Sequence, residues 1–164
     1  MAHDESSPDA PQPVLDGTGL RIGLVCSRFN GRLTLRLLDG ARRGLASSGV
    51  EPDDVDEIWV PGAFEIPLTA KTMARAGESD AIVGLGCVIR GDTSHYELVA
   101  GECARGIGQV GLDTGVPIVF GVLTTENVGQ AEARSEGPGG HNVGEEAAAT
   151  AVEMARLLGR LRKG

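Results

Sequence analysis

Apolar residues along the chain occur in two patterns, short continuous runs and longer segments with helical spacing. Ala81–Ile89 is a run without a polar side chain, so it predicts a strand that helices cover on both faces. Shorter runs predict further strands at residues 21–27, 57–60 and 116–123. A segment with helical spacing follows each run, which predicts a strand–helix unit repeated four times.

The helical segments include one helix more than this repeat requires. The predicted helices are residues 30–48, 64–76, 96–111, 124–134 and 144–162. Thr124 or Thr125 is the predicted cap of the fourth helix, and a glycine-rich loop at residues 136–142 precedes the last one. This order predicts an α/β three-layer sandwich, in which a four-stranded parallel sheet has helices on both faces.

Length and charge limit the classes of protein that remain. The 164 residues suit one domain, predicted at residues 17–164, while residues 1–16 are rich in Pro, Asp and Ser and predict a disordered tail. The net charge of −8 argues against a nucleic-acid partner. Neither a membrane-spanning run nor a secretory signal is visible, so we expect a cytoplasmic protein without a membrane partner.

The chain contains three cysteines and few aromatic residues. Cys26 and Cys87 lie in predicted strands and Cys103 lies in a predicted helix, without metal-ligand spacing. We therefore expect buried free thiols in a reducing cytoplasm and no metal site. Only 3% of the residues are aromatic, whereas glycine and alanine are abundant, so we expect the helices and the sheet to pack closely through small residues.

Aromatic and acidic residues follow the first two predicted strands, at the carboxyl ends where open α/β sheets bind ligands. Phe29 is a candidate stacking platform for a flat heterocycle, but the same segment also fits a simple helix start with Asn30 as N-cap. Glu65 follows Pro61 and Gly62, and it is either a ligand for a polyol or merely an acidic first-turn residue. The residues alone leave both pairs of alternatives open.

The third predicted strand is followed by a turn that fits an anion. Gly91, Asp92, Thr93 and Ser94 offer backbone N–H groups and hydroxyls at the start of a helix. His95 either adds a group that transfers protons near neutral pH or is only a polar residue at a helix start. The segment indicates a phosphate cradle beside an acid–base residue, whereas neither a Walker A motif nor a complete dinucleotide fingerprint is present.

Taken together, several motifs resemble the lumazine synthase family. They are Arg28-Phe29-Asn30, residues 61–67 (PGAFEIP), residues 86–95 (GCVIRGDTSH), residues 117–127 (PIVFGVLTTEN), Gln130 with Arg134, and residues 140–154 (GHNVGEEAAATAVEM). They occur in the family's order and cover nearly the whole chain from Arg21 onward. The resemblance implies a flavodoxin-like fold. It also implies the condensation of 5-amino-6-ribitylaminouracil with 3,4-dihydroxy-2-butanone 4-phosphate to 6,7-dimethyl-8-ribityllumazine, phosphate and water, in riboflavin biosynthesis.

The resemblance also implies how this chain would bind the first substrate. Phe29 would stack on the pyrimidine ring, with Val88 and Ile89 alongside it. Ala63 and Glu65 would bind the ribityl chain. No cofactor is implied, because the chemistry needs proton transfer and a stabilised phosphate rather than a metal or a redox group.

The second substrate would lie in the phosphate turn, at a site shared between two subunits. The phosphate cradle would consist of Gly91, Asp92 and Thr93. His95 would be the proton-transfer residue. Phe120 and Arg134 would come from the adjacent subunit, with Arg134 clamping the phosphate.

One position departs from the family pattern. Many members have Lys or His at the position of Val143, so this chain lacks a cationic contact near the phosphate or the ribityl chain. His141 is a candidate replacement. The acidic position just downstream is retained as Glu146.

Other functions are possible on the same fold, namely a non-catalytic flavin or lumazine carrier, an archaeal-type riboflavin synthase or a capsid-forming shell. The retained His95 and Arg134 favour the enzyme, because a carrier needs no phosphate clamp. Shared active sites imply a homo-oligomer. The loop at residues 135–143 is about one residue longer than in capsid-forming relatives and the chain is acidic, so we expect a pentamer rather than a 60-subunit capsid.

Overall fold

The computed structural model describes residues 10–164, which form four strands and five α-helices. The strands are β1 (Ile22–Ser27), β2 (Val55–Val60), β3 (Ala81–Ile89) and β4 (Ile118–Thr125). The helices are α1 (Gly31–Ser47), α2 (Ile66–Ala76), α3 (His95–Thr114), α4 (Val128–Glu132) and α5 (Val143–Lys163). Two 3₁₀ turns, Pro52–Asp54 and Ala63–Glu65, precede β2 and α2.

The strands form one parallel sheet with the order β2-β1-β3-β4. Residues 81–88 of β3 are all buried, as the apolar run predicted. The chain passes from β1 to β2 on one side and then returns to pair β3 with the other side of β1. The predicted α/β fold with a flavodoxin-like order is confirmed, and the order reverses between β1 and β3, where such sheets bind ligands.

Two apolar layers cover the sheet, one on each face. The layer of α1 and α5 includes Leu37, Leu38, Ala148 and Val152. The layer of α2 and α3 includes Ile66, Ala70, Cys103 and Ile107. Fully burying a large aliphatic side chain stabilises the fold by about 1.5–3 kcal/mol, so these layers provide much of the driving force for folding.

The start of α4 differs from the prediction. Thr124 and Thr125 do not cap a helix but end β4, because the pairing of β3 with β4 extends to Ile89 and Thr125. The cap is Asn127, whose side-chain oxygen accepts a hydrogen bond of 2.9 Å from the N–H of Gln130. The helix is therefore shorter than predicted.

Glycines let α1 and α5 approach each other closely. A Cβ atom on Gly144 would lie 2.0 Å from the backbone oxygen of Leu37, and one on Gly40 would lie 2.0 Å from the side-chain oxygen of Asn142. Both distances are well below van der Waals contact, so a larger residue would have to displace backbone at Gly144 and the side chain of Asn142 at Gly40. The expected close packing through small residues is confirmed.

The three cysteines are free and buried, as predicted. Burial raises the pKa of Cys26 and of Cys103 to about 12, and it raises the pKa of Cys87 to about 11. The cause is that a thiolate loses its hydration inside the protein. All three thiols are therefore protonated at neutral pH.

The predicted N-terminal tail lies partly outside the described residues, which begin at residue 10. Residues 10–16 contain neither a helix nor a strand. The disorder of the tail and the division into a tail and one domain stay predictions. Within residues 10–164, no helix combines the length and the apolar character needed to cross a membrane.

Gly144→Ala should destabilise the fold by about 1–3 kcal/mol, because the added methyl group must displace the backbone of α1 or α5. Gly159→Ala in the same helix is the matched control, since a Cβ there meets no atom within 4 Å and alanine favours a helix. Urea unfolding at equal protein concentration measures both variants. Equal midpoints for Gly144→Ala and the wild type would contradict a tight contact between the helices.

At pH 8, iodoacetamide should alkylate the folded thiols at least about a hundredfold more slowly than those of the urea-unfolded chain. A pKa raised from 9.0 to about 11 lowers the thiolate fraction by about that factor. Mass spectrometry measures the alkylation, and equal rates in both states would contradict the prediction.

The same pKa shifts predict that the free energy of unfolding falls as the pH rises above about 9, because the unfolded chain then releases thiol protons that the folded chain retains.

Candidate functional site

A cavity of about 820 Å³ opens at the carboxyl ends of β1, β2 and β3, beside the first turns of α3. It brings together most of the residues predicted for the site. These are Phe29, Ala63, Glu65, Val88, Ile89, Gly91, Thr93 and His95. They are far apart in sequence, but a parallel sheet places the carboxyl ends of its strands at one edge.

Backbone pairing beyond the end of β1 positions Phe29. The N–H of Arg28 donates to the oxygen of Val60 at 2.8 Å, and the N–H of Phe29 donates to the oxygen of Pro61 at 3.0 Å. Phe29 is 73% exposed although it lines the cavity. Its ring therefore forms an open wall on which a flat ligand can stack.

Asn30 anchors this corner of the cavity through a contact distant in sequence. Its backbone is left-handed, with a φ of 57°, a conformation that asparagine tolerates better than most residues. Its side-chain N–H donates to the oxygen of Cys87 at 2.8 Å and so ties the start of α1 to the end of β3. Asn30 is the N-cap residue of α1, as predicted, but its side chain makes no capping bond, and its backbone oxygen accepts from the N–H groups of Leu33 and Thr34.

The 3₁₀ turn Ala63–Glu65 contributes a second segment of the wall. Ala63 is buried against the layer of α2 and α3, whereas Glu65 is exposed and lines the cavity. Glu65 also immediately precedes α2, and Pro67 lies in the first turn of that helix, where it was predicted. The acidic side chain thus occupies a helix start and a ligand-accessible position at the same time.

The end of β3 supplies the apolar part of the lining through Val88 and Ile89. Upstream in the same strand, a Cβ atom on Gly84 would lie 2.8 Å from a side-chain carbon of Ile66. The missing side chain lets α2 lie close to the strand. The cavity is thereby built against packed apolar side chains, which suit the face of a heterocyclic ring.

The turn between β3 and α3 supplies the polar part. Gly91 and Thr93 line the cavity, and His95 begins α3 with its N–H donating to the side-chain oxygen of Thr93 at 3.3 Å. His95 is exposed and also lines the cavity, so a ligand can reach its ring. Asp92 lies in the turn but does not line the cavity, and its role in phosphate binding stays a prediction.

The sequence interpretation missed several lining residues on α3. They are Tyr96, Leu98, Val99 and Glu102. Leu98, Val99 and Glu102 follow His95 at intervals of three, four and seven positions, which places them on one face of a helix. The helical spacing of Leu98, Val99 and Glu102 from His95 was the signal available in the sequence.

Phe120 and Arg134 do not line this cavity. Phe120 lies in β4 at the edge of the sheet and is 39% exposed. Arg134 follows α4, which packs with α1 and α5: Ala131 is buried in their layer, and Arg36 donates to the oxygen of Ser135 at 2.8 Å. A single chain therefore does not bring these two residues to its own cavity, and their place in a neighbouring site stays a prediction.

Hydrogen bonds join the two ends of the loop before α5. Ser135 pairs with Asn142 in an isolated antiparallel bridge, and the N–H of Glu136 donates to the oxygen of His141 at 2.9 Å. Asn142 also accepts a hydrogen bond from the N–H of Glu145 at 3.2 Å, which caps α5. The glycine-rich loop is thus a compact connection that sets the position of the helix after it.

Val143, which departs from the family pattern, lies beside Arg134. Its N–H donates to the backbone oxygen of Arg134 at 2.9 Å. His141 Nε2 lies 3.0 Å from a carboxylate oxygen of Glu146, so these two side chains form an ion pair when His141 is protonated. The proposed replacement of the missing cation by His141 stays a prediction.

The cavity combines an apolar wall with a polar rim. Phe29 with Val88 and Ile89 suits a flat ring, and the start of α3 offers backbone N–H groups to an anion. His95, the first residue of α3, lines the same cavity and is exposed for proton transfer. The arrangement fits the reaction of a heterocycle with a phosphorylated substrate.

Comparison with protein families agrees with this site. The family model described as 6,7-dimethyl-8-ribityllumazine synthase matches residues 19–159. The matched region contains every strand and every residue that lines the cavity. Members of this family are oligomeric enzymes that act on small molecules in riboflavin biosynthesis. The chain belongs to the 6,7-dimethyl-8-ribityllumazine synthase family.

Proposed function

We propose that this protein condenses 5-amino-6-ribitylaminouracil with 3,4-dihydroxy-2-butanone 4-phosphate to form 6,7-dimethyl-8-ribityllumazine, phosphate and water. One observation carries the proposal: a single cavity is lined by an aromatic side chain, an acidic residue, the turn that contains Gly91 and Thr93, and a histidine. Phe29 stacks on the pyrimidine ring, Glu65 with Ala63 binds the ribityl chain, and the turn at Thr93 holds the phosphate.

The proposed reaction needs proton transfers close to a departing phosphate. The aromatic amine attacks the ketone and water leaves to give an imine; phosphate is then eliminated, and ring closure expels a second water. His95 transfers protons in these steps, and the backbone N–H groups of the turn stabilise the phosphate as it leaves. Much of the acceleration comes from holding two substrates in contact.

We further propose that Phe120 and Arg134 of a neighbouring subunit complete each site. The cavity is open, and Phe29, Phe64 and Leu98 expose large apolar surfaces at it, a pattern typical of surfaces that bind a partner. Arg134 then pairs with the substrate phosphate through two guanidinium N–H groups. The cytoplasmic location stays a prediction from the sequence.

The direct test adds both substrates to purified protein and follows lumazine formation and phosphate release together. Equal amounts of both products, formed faster than without protein, would support the proposal. Bound flavin without turnover would instead support a carrier, and conversion of lumazine alone would support a riboflavin synthase. A closed shell without turnover would support a structural role.

His95→Ala should lower kcat by about one to two orders of magnitude, because proximity of the two substrates remains when the proton-transfer group is lost. Substrate binding should change little. Leu98→Ala is a useful control, since it alters the same wall without removing a titratable group. Steady-state kinetics measure both variants, and an unchanged kcat in His95→Ala would exclude His95 from the mechanism.

Arg134→Ala should raise KM for the butanone phosphate far more than KM for the pyrimidine. If each site takes His95 from one subunit and Arg134 from the next, refolding Arg134→Ala together with His95→Ala should restore activity at about a quarter of the sites. Mixing either variant with the double variant is the control and should restore none. No recovery in the first mixture would contradict the shared site.

The assembly should be a pentamer, alone or paired as a decamer. The long loop before α5 fixes the direction of that helix by its own hydrogen bonds, and contacts between pentamers in a closed shell tolerate little misalignment. The net charge of −8 also opposes further association. Light scattering behind size-exclusion chromatography measures the mass, and a particle near the mass of sixty subunits would contradict this prediction.

A further inference from the structure

Arg90 lies between the end of β3 and the turn that borders the cavity, and its guanidinium contacts three side chains. One nitrogen donates to Glu97 in the first turn of α3. Another donates at 2.8 Å to Glu126, which directly follows β4. The guanidinium carbon also lies 4.3 Å from the centre of the Tyr96 ring, within the range of a cation–π contact.

These contacts tie together both ends of the turn. The backbone N–H of Arg90 donates to the oxygen of Thr125 at 2.9 Å, so the start of the turn is bound to β4. Glu97 and Tyr96 bind the same guanidinium to α3 just after the turn. The residues between, 91–94, are exposed and have no buried side chain to hold them, so the shape of the turn depends on its anchored ends.

The charges direct the guanidinium toward the protein rather than toward a ligand. Arg90 holds the pKa of the Glu97 carboxyl below its usual value by a hydrogen bond to it, and the hydrogen bonds to Glu97 and Glu126 raise the pKa of Arg90. Two carboxylates therefore offset one cation. Arg90 itself does not line the cavity, although its neighbours on both sides do.

We propose that Arg90 is a positioning residue for this turn, which holds Gly91, Thr93 and His95 in the arrangement that a phosphorylated substrate needs. Lysine is a poor substitute, because a point charge cannot reach two carboxylates from separate nitrogens and stack on a ring at once. The inference deepens the proposed function. The expected effect of Arg90 on KM rests on that function, whereas its expected effect on the order of the turn does not.

Arg90→Met and Arg90→Lys test the inference, with Arg42→Met as the matched control. Arg42 likewise bonds two carboxylates, at 2.6 Å and 2.7 Å to Glu57 and at 3.2 Å to Asp39, but it joins α1 to β2 away from the cavity. Arg90→Met should raise KM for the butanone phosphate about tenfold and leave KM for the pyrimidine within about twofold, since only the turn is displaced. Arg90→Lys should recover part of this loss, and Arg42→Met should resemble the wild type.

Hydrogen exchange of backbone amides gives a readout that needs no turnover. The amides that donate hydrogen bonds at the two ends of the turn, those of residues 90, 95 and 98, should exchange about tenfold faster in Arg90→Met than in the wild type or in Arg42→Met, because the turn opens more often. Unchanged exchange there would overturn the positioning role, whatever the activity. A wild-type protein that lacks the condensation activity would defeat the proposed function, while the exchange measurement would still decide the role of Arg90.

Glu97→Gln separates positioning from direct contact with the phosphate. A positioning role predicts a higher KM for the butanone phosphate, because Arg90 loses one of its two carboxylate partners. If Arg90 instead binds the phosphate itself, removing a competing carboxylate should lower that KM. A lower KM in Glu97→Gln would therefore overturn the inference.

Discussion

The close approach of backbones where side chains are missing is the constraint on which the rest of the structure depends. With 3% aromatic residues, the chain cannot fill wide gaps between its layers, and protein interiors tolerate few voids. Gly40 and Gly144 bring α1 and α5 together, while Gly84 brings β3 close to α2. A Cβ on Gly121 would lie 2.8 Å from the oxygen of Gly84, so the same constraint acts between β3 and β4. Glycine at these positions is a requirement of packing rather than a source of mobility.

This packing places the candidate site at the reversal of strand order without any long loop. Phe29 and Ala63 lie within three residues of the ends of β1 and β2, and the polar turn at residues 91–94 begins two residues after β3 ends. Short connections leave little freedom at the ends of the strands, and hydrogen bonds such as that from Asn30 to Cys87 remove more of it. A site whose parts are ordered before substrate binds loses less entropy on binding, which suits a reaction that depends on holding two substrates together.

The features predicted best from the sequence are those that depend on a local pattern of residues. The bounds of β3 were predicted correctly because the charged residues Asp80 and Arg90 flank the apolar run. β4 begins at Ile118, later than predicted, because Pro117 has no N–H to donate to a ladder. The cavity-lining residues next to strand ends were predictable from the rule for parallel sheets. Contacts between distant segments, such as Asn30 with Cys87 or Arg90 with Glu126, have no local pattern and appear only in the fold. The predicted role of Phe120 and Arg134 cannot be seen even in the fold of one chain, because it needs a second chain.

The arginines of α1 illustrate why charge on a helix face is hard to interpret from sequence alone. Arg36 donates at 2.8 Å to the oxygen of Ser135 and at 3.2 Å to that of Glu132. Asn142 donates back to the oxygen of Arg36 at 3.1 Å, so α1 holds both ends of the loop that follows Arg134. The bond to Ser135 gives its carbonyl a partner, and the bond to Glu132 adds to the one that the carbonyl of Glu132 already accepts from the N–H of Ser135. In the proposed shared site, Arg90 holds the turn that borders the cavity of its own subunit. Arg36 holds the segment that presents Arg134 to the cavity of the neighbouring subunit. Each subunit would then keep its two contributions in place by an arginine that touches no substrate.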